Sequence, residues 1–196
     1  YERRYRTGDA NETYLLAPYH HGGQYFEAVA EAPESFANVY EEDLPRTTTE
    51  LLHPERDDFE PTPVSVTTTV RRDGWQVEED SRAGELFVHV TVAAHLGTDR
   101  ADRAATGYAG DRLVTFDGEN RAQYAWVTHW ASDTDAVEFA DSLDETLGVR
   151  SDRFADSVGV RVLGDQTVAV VTGERAVRDD ITFEGTGTDV AIVVNE

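Results

Sequence analysis

Residues 113–148 read LVTFDGENRAQYAWVTHWASDTDAVEFADSLDETLG, and their pattern decides the fold class. Leu113–Phe116 is a short apolar run, Asp117-Gly118 begins a turn, and Ala122–Trp130 returns as a longer strand. Ser132 then stands as an N-cap with Asp135 three residues on. Ala136, Val137, Phe139, Ala140, Leu143 and Leu147 recur at helical spacing, which predicts a helix over 133–147 that Gly148 stops. Strand, turn, strand and helix in immediate succession predict an α+β fold, with a mostly antiparallel sheet and helices packed on one face.

Working outward, Val64, Val66, Thr68 and Val70 alternate with small polar residues as a half-buried strand, and Asp73-Gly74 turns the chain toward Trp75 and Val77. Leu86, Phe87, Val90, Ala93, Ala94 and Leu96 give a helical face over 84–96, with Gly97 as its C′ residue. Thr98 is read as the cap of a second, alanine-rich helix through Thr106. Gly107-Tyr108-Ala109-Gly110 is read as a tight helix-to-strand connection. Past residue 148 the chain is β-rich: Val158–Leu163 and Thr167–Val171 flank a hairpin turn at 164–166, and Ile181–Phe183 and Val190–Val194 can pair across 185–189. Residues 1–62 are aromatic-rich and expected to be irregular. Short helices are predicted at Gln24–Ala32, entered from Gly22-Gly23 and stopped before Pro33, and at Thr48–Leu52, capped by Thr47 or Thr48 and ended by His53-Pro54. The expected organisation is one domain over 1–196: an annex over 1–62, an α+β core over 63–148 and a β-rich tail over 149–196.

Composition speaks of solvent. There are 39 Asp and Glu against 17 basic residues, every one an arginine, for a formal net charge of −22. With 39% hydrophobic and 10% aromatic residues in periodic runs, this is a folded acidic protein and not a disordered tail. Such charge opposes compaction in dilute buffer and is screened at molar salt, where the Debye length is about 3 Å. A basic face for nucleic acid is lacking, since the arginines are scattered apart from Arg3-Arg4 and Arg71-Arg72. Without cysteine, neither a disulfide framework nor a cysteine-based zinc site can form. No apolar run is long enough to span a membrane. Because no methionine occurs, the chain is expected to begin downstream of the translation start.

Six histidines invite a metal hypothesis. His20-His21 are adjacent and would share an ion only from a loop. His89 and His95 fall on different faces of a helix. His129 lies between Trp126 and Trp130, and His53 is expected to make a local turn contact. No His-Glu-x-x-His stands at ligand spacing, no Gly-x-Ser-x-Gly elbow occurs, and the glycines at 107–110 lack the spacing and lysine of a phosphate loop. No catalytic residue and no cofactor in this chain is therefore expected, with His20 and His21 as the weak metal candidates. Carboxylate pairs such as Glu41-Glu42 and Asp57-Asp58 read as solvated surface. Gly107, Gly110, Asp111 and Arg112 are singled out as a structural or ligand motif: the glycines for unusual backbone or close approach, Asp111 and Arg112 for a bidentate ion pair that holds the hairpin. The expected partner of Arg112 is Asp111 or a carboxylate from a distant segment.

Three segments in order carry a resemblance. They are Pro18-Tyr-His-His-Gly-Gly-Gln-Tyr-Phe26, then Leu44-Pro-Arg-Thr-Thr-Thr-Glu-Leu-Leu-His-Pro-Glu55, then Gly107-Tyr-Ala-Gly-Asp-Arg112 with Trp126–Trp130 and Asp133–Phe139. Together they resemble the C-terminal half of a family of exported, zincin-like proteins of bacteria and haloarchaea, over roughly residues 15–140. Tyr108 stands where that family has tryptophan, and Ala131-Ser132 where aspartate follows the tryptophan. In that family the His-Glu-x-x-His motif and a downstream glutamate precede these segments. The resemblance therefore implies a non-catalytic C-terminal segment of a halophilic cell-surface or secreted protein. It would support a zinc site outside this chain, with the N-terminal portion of the parent as partner. The alternative is an independent extracellular binding or assembly module, pairing with another subunit through its β-rich tail.

Overall fold

The structure is a computed structural model that describes residues 2–7, 10–30, 39, 44–56, 59–118, 121–149 and 157–196. Three layers are stacked. A five-stranded antiparallel sheet forms the middle, in the order β2 (Gln76–Ser81), β3 (Tyr108–Gly118), β4 (Arg121–Trp130), β6 (Thr167–Thr172), β5 (Val158–Gly164). A three-stranded sheet covers one face, with β8 (Asp189–Val194) between β1 (Ser65–Val70) and β7 (Ile181–Thr186). Helices cover the other face, so the chain is α+β as its pattern predicts. The pairing is antiparallel throughout except for β1 with β8, which run parallel.

Strand alternation builds both cores at once. From β4, Trp126 and Trp130 point to the helices while Ala125 and Val127 point to the small sheet. From β6, Val168 and Val170 join the first side and Val171 the second. The middle strands are thus buried on both faces, which is why β6 reads as an unbroken apolar run. The helix-side core centres on Trp130, stacked on Phe139 with ring centroids 4.8 Å apart, and on Trp126, edge-on to Phe139 at 5.7 Å. The Trp130 indole N–H donates to Thr128 Oγ1 at 2.9 Å, so its one polar atom is satisfied inside the core.

The helix predicted at 133–147 runs Asp133–Val149, as α6 in chain order. Ser132 caps it by accepting from the Asp135 N–H at 3.2 Å. Two details differ. Gly148 lies inside the helix, where nothing crowds it, and Val137 is 44% exposed because it sits a third of a turn off the buried face.

Before it lie α4 (Glu85–Leu96) and α5 (Thr98–Ala105), joined at Gly97. Gly97, at φ 85°, ends the first and caps the second, so Thr98 is a helical residue and not the cap. The connection read at 107–110 is shifted: the helix ends at Ala105 and β3 already begins at Tyr108, so only Thr106 and Gly107 separate helix from strand. Asp73-Gly74 turns the chain from the small sheet into the large one, so β1 and β2 are not partners.

The described part of the annex is helical. It comprises α1 (Glu2–Thr7), α2 (Ala10–Val29) and α3 (Thr48–Leu52). α2 runs straight through Pro18 and Gly22-Gly23, where a helix start was expected. The reason is a stripe at spacing four: Thr13, Ala17, His21 and Tyr25 are all buried, and Tyr5, Ala17, Leu86 and Val90 form one apolar cluster. Packing of that stripe outweighs the helix cost of the glycines. The expected end at Ala32–Pro33, and the pairs Glu41-Glu42 and Asp57-Asp58, lie outside the described residues. α3 is capped by Thr47 in a reciprocal capping box with Glu50.

Arg112 meets Asp80 of the neighbouring strand β2 through both Nε and Nη2, the latter at 2.8 Å. The partner is the distant carboxylate and not Asp111, because adjacent strand residues point to opposite faces. With side chains 31% and 40% exposed, the pair is only modestly stabilising. Arg112→Lys should cost about 0.5 kcal/mol by losing the planar fork, and Arg112→Ala about 1 kcal/mol. Urea titration in molar KCl measures both, and a loss like that of a core truncation would refute the exposed-pair account.

Candidate functional site

A polar cleft of 480 Å³ opens where α2, α3, α4 and α5 meet, and imidazoles and carboxylates line it. Each is set by local structure. The capping box fixes α3, and Thr48 Oγ1 accepts from the Leu86 N–H at 3.4 Å, seating α3 on the first turn of α4. Gly84 is required there: at φ 79°, a Cβ would overlap Thr48 Oγ1. His53 at the end of α3 then reaches Glu85, with Nε2 to Oε1 at 2.8 Å. Glu85 is 2% exposed and opens α4, where the helix dipole favours its charge. His53 thus makes a contact 32 residues away in sequence, beyond the local turn contact expected of it. Its pKa is raised, chiefly by that hydrogen bond.

One helical turn on from Glu85, His89 enters the same cleft. Its Nε2 lies 2.9 Å from Asp102 Oδ1 of α5. His89 also packs edge-on against His21 of α2, centroids 5.4 Å apart. His21 Nε2 lies 2.8 Å from the Tyr5 hydroxyl, and His20 stacks on the Tyr5 ring at 4.2 Å. Burial first, then His89 and His20, lowers the His21 pKa to about 4. Burial first, then Asp102, raises Tyr5 to about 12. The neutral imidazole therefore accepts from a hydroxyl that keeps its proton.

His20 and His21 are brought together, with centroids 5.0 Å apart, and share the cluster with His89. Among the described residues no group of three or more His, Cys, Asp or Glu side chains is placed to hold a metal ion. What the cleft offers is two imidazole–carboxylate pairs, His53–Glu85 and His89–Asp102, which orient rings and move protons.

The two histidine shifts have opposite signs. His53 has a folded pKa above 6.5, so its pair with Glu85 contributes fully below that value and is lost as pH rises through the raised one. His21 has a folded pKa of about 4, so its contribution is complete above 6.5 and lost as pH falls toward 4. An NMR pH titration should place the His53 midpoint above 6.5 and that of His21 well below it. Coincident midpoints would contradict the geometry.

The Gly107–Arg112 motif serves this cleft from behind. Asp111 is 2% exposed and accepts four hydrogen bonds: from the Ala83 and Gly84 N–H groups at 2.7 and 3.3 Å, the Tyr108 hydroxyl at 2.5 Å and the Trp126 indole N–H at 2.8 Å. It pins the turn that presents Glu85. Burial, then Asp111, pushes the Tyr108 hydroxyl up, so it remains a donor. Gly107, at φ 76°, leaves room for the Asp135 carboxyl, and Gly110 for the Thr62 carbonyl oxygen. Gly107 also lines the cleft.

Sequence reasoning missed Glu85, His89 and Asp102 as a group. Glu85 and His89 carry a signal, being four apart on one helix. Asp102 carries none, since it reaches the cleft only through the fold of α5 on α4.

A family model described as Domain of unknown function (DUF8575) matches residues 70–196. No curated protein and no solved structure matches the chain. The cleft straddles the matched stretch: Glu85, His89 and Asp102 lie inside it, while His21, His53 and Arg56 lie before it.

Proposed function

Because the chain belongs to the DUF8575 family, we propose its role from the cleft. It is the non-catalytic, supporting portion of a salt-adapted, exported or cell-surface zincin-like protein. Its imidazole–carboxylate cleft forms one wall of a zinc site whose ligands lie outside this chain. One observation carries this reading: the three segments of the resemblance converge on the cleft. His21 and Gln24 come from the first, Leu52 and His53 from the second, Gly107 from the third. Carboxylates that orient imidazoles are the usual surroundings of zinc ligands. Within the described residues the cleft contributes the pairs His53–Glu85 and His89–Asp102. Among the described residues, no helix is long and apolar enough to cross a membrane.

Metal analysis of the chain purified in molar KCl and equilibrated with zinc should give far less than one tightly held ion per chain. One ion per chain would sink the supporting role. A His-Glu-x-x-His encoded ahead of Tyr1 would strengthen it. The salt adaptation is tested on the same sample. With a net charge of −22, the melting temperature should climb between about 0.1 and about 2 M KCl as repulsion is screened. A flat profile would contradict it.

Val162, 51% exposed on β5 at the edge of the large sheet, favours a second reading: an extracellular module that takes a partner's strand there.

A further inference from the structure

The helix side of the large sheet carries a second, apolar pocket. Between α4, α6 and the five-stranded sheet lies a cavity of 370 Å³, apart from the polar cleft. Phe87 and Thr91 of α4, Leu143 and Leu147 of α6, and Trp126 and Val170 of the sheet form its walls. It opens to solvent, and its volume is many times the about 30 Å³ share of one liquid water. Water is a poor occupant here, because the walls are almost wholly apolar and a buried water needs two to four polar partners. The size and lining are those of a small-molecule site.

We propose that this cavity binds one uncharged, elongated apolar molecule, an alkyl or isoprenoid chain of about a dozen heavy atoms at roughly 30 Å³ each. Among the described residues no charged side chain lines the cavity, so among them neither a carboxylate nor an ammonium head finds a partner. The net charge of −22 further disfavours an anion. The hydroxyls at the wall are neutral, and two are engaged: Thr146 donates to the Ser142 carbonyl at 2.8 Å, and Thr172 accepts from the Tyr124 N–H at 2.9 Å. The Thr91 and Tyr124 hydroxyls remain for a neutral head such as an alcohol or amide. Tyr124 is 41% exposed and stands at the mouth. The walls recede to Trp126 and Val170, which are 4% and 7% exposed, a depth suited to a slender chain and not to a protein face. The inference does not rest on the zincin-like reading of the polar cleft.

The test uses the whole chain in molar KCl and the uncharged fluorophore N-phenyl-1-naphthylamine. Its fluorescence should rise saturably, with one site per chain. 1-Dodecanol should displace it at a concentration at least about ten-fold lower than dodecanoate. Thr91→Phe and the milder Leu147→Phe fill the cavity from two helices, and each should weaken binding at least about ten-fold with the circular dichroism unchanged. No saturable signal, equal displacement by dodecanoate, or undiminished binding in a folded filling variant would overturn the proposal. So would a concentration-dependent dimer that filling the cavity abolishes, which would put a second copy there. Should either variant fail to fold, the competition on the unmodified chain decides alone.

Discussion

Asp111→Ala should destabilise the protein by about 4–5 kcal/mol, a large part of the stability of an ordinary domain. The carboxylate is buried, and four donors aim at it: two backbone N–H groups, a tyrosine hydroxyl and an indole N–H. Alanine leaves all four without an acceptor, at about 1–3 kcal/mol for each that water cannot reach. Relaxation of the Ala83–Gly84 turn recovers part of that. Asp111→Asn keeps the shape but offers one acceptor oxygen and turns an NH₂ toward donors, so about 2–3 kcal/mol is expected. Urea titration in molar KCl gives both values. In the asparagine variant the turn that presents Glu85 loosens, so the His53 titration midpoint should fall back toward 6.5. A loss below about 1 kcal/mol for alanine would show that the donors find other acceptors and that Asp111 organises nothing.

Phe139→Ala should cost about 3–5 kcal/mol. Phe139 is wholly buried, stacked on Trp130 and edge-on to Trp126, so truncation opens a hole between two indoles that β4 holds in place. The neighbouring Glu138→Ala removes partly exposed ion pairs with Arg100 and Arg103 and should cost under about 1 kcal/mol. Near-UV circular dichroism adds a signature: the tryptophan bands should weaken in the first variant and persist in the second. Equal losses would mean that the helix presents another face.

What the sequence showed and what it hid follow one division. Elements whose signals are local were legible: the cap of α3, left between Thr47 and Thr48, the hairpin at 164–166, the Ser132 cap and the apolar stripe of α6. Elements decided by tertiary contact were not. α2 runs through Pro18 and Gly22-Gly23 because its buried stripe continues beyond them, and a reading that weighs glycine as a breaker stops short. The split into two sheets is invisible in the alternation of β1 and β2, since both sheets use the same period. For Arg112 the expectation left Asp111 and a distant carboxylate open, and the distant one, Asp80, is its partner. Strand periodicity alone sets Asp111 and Arg112 on opposite faces, which was enough to separate them. In the cleft, Glu85 was hidden by composition: among 39 acidic residues, a buried carboxylate looks like any other.

β1 and β8 have a consequence for how the molecule is assembled. β1 is hydrogen-bonded to a strand that follows every other described strand, Ser65 aligning with Asp189 and Val70 with Val194. During synthesis β1 must wait, unpaired, until almost all of the described chain has been made. Its closure spans most of the described chain, so it must first overcome the entropy of the intervening loop. The family match begins at Val70, the last residue of β1. A polypeptide cut to that boundary would leave β8 with one bare edge rich in valine and isoleucine, open to strand exchange between molecules. The unit that folds is thus larger than the unit that the family match delimits, and it begins ahead of residue 65.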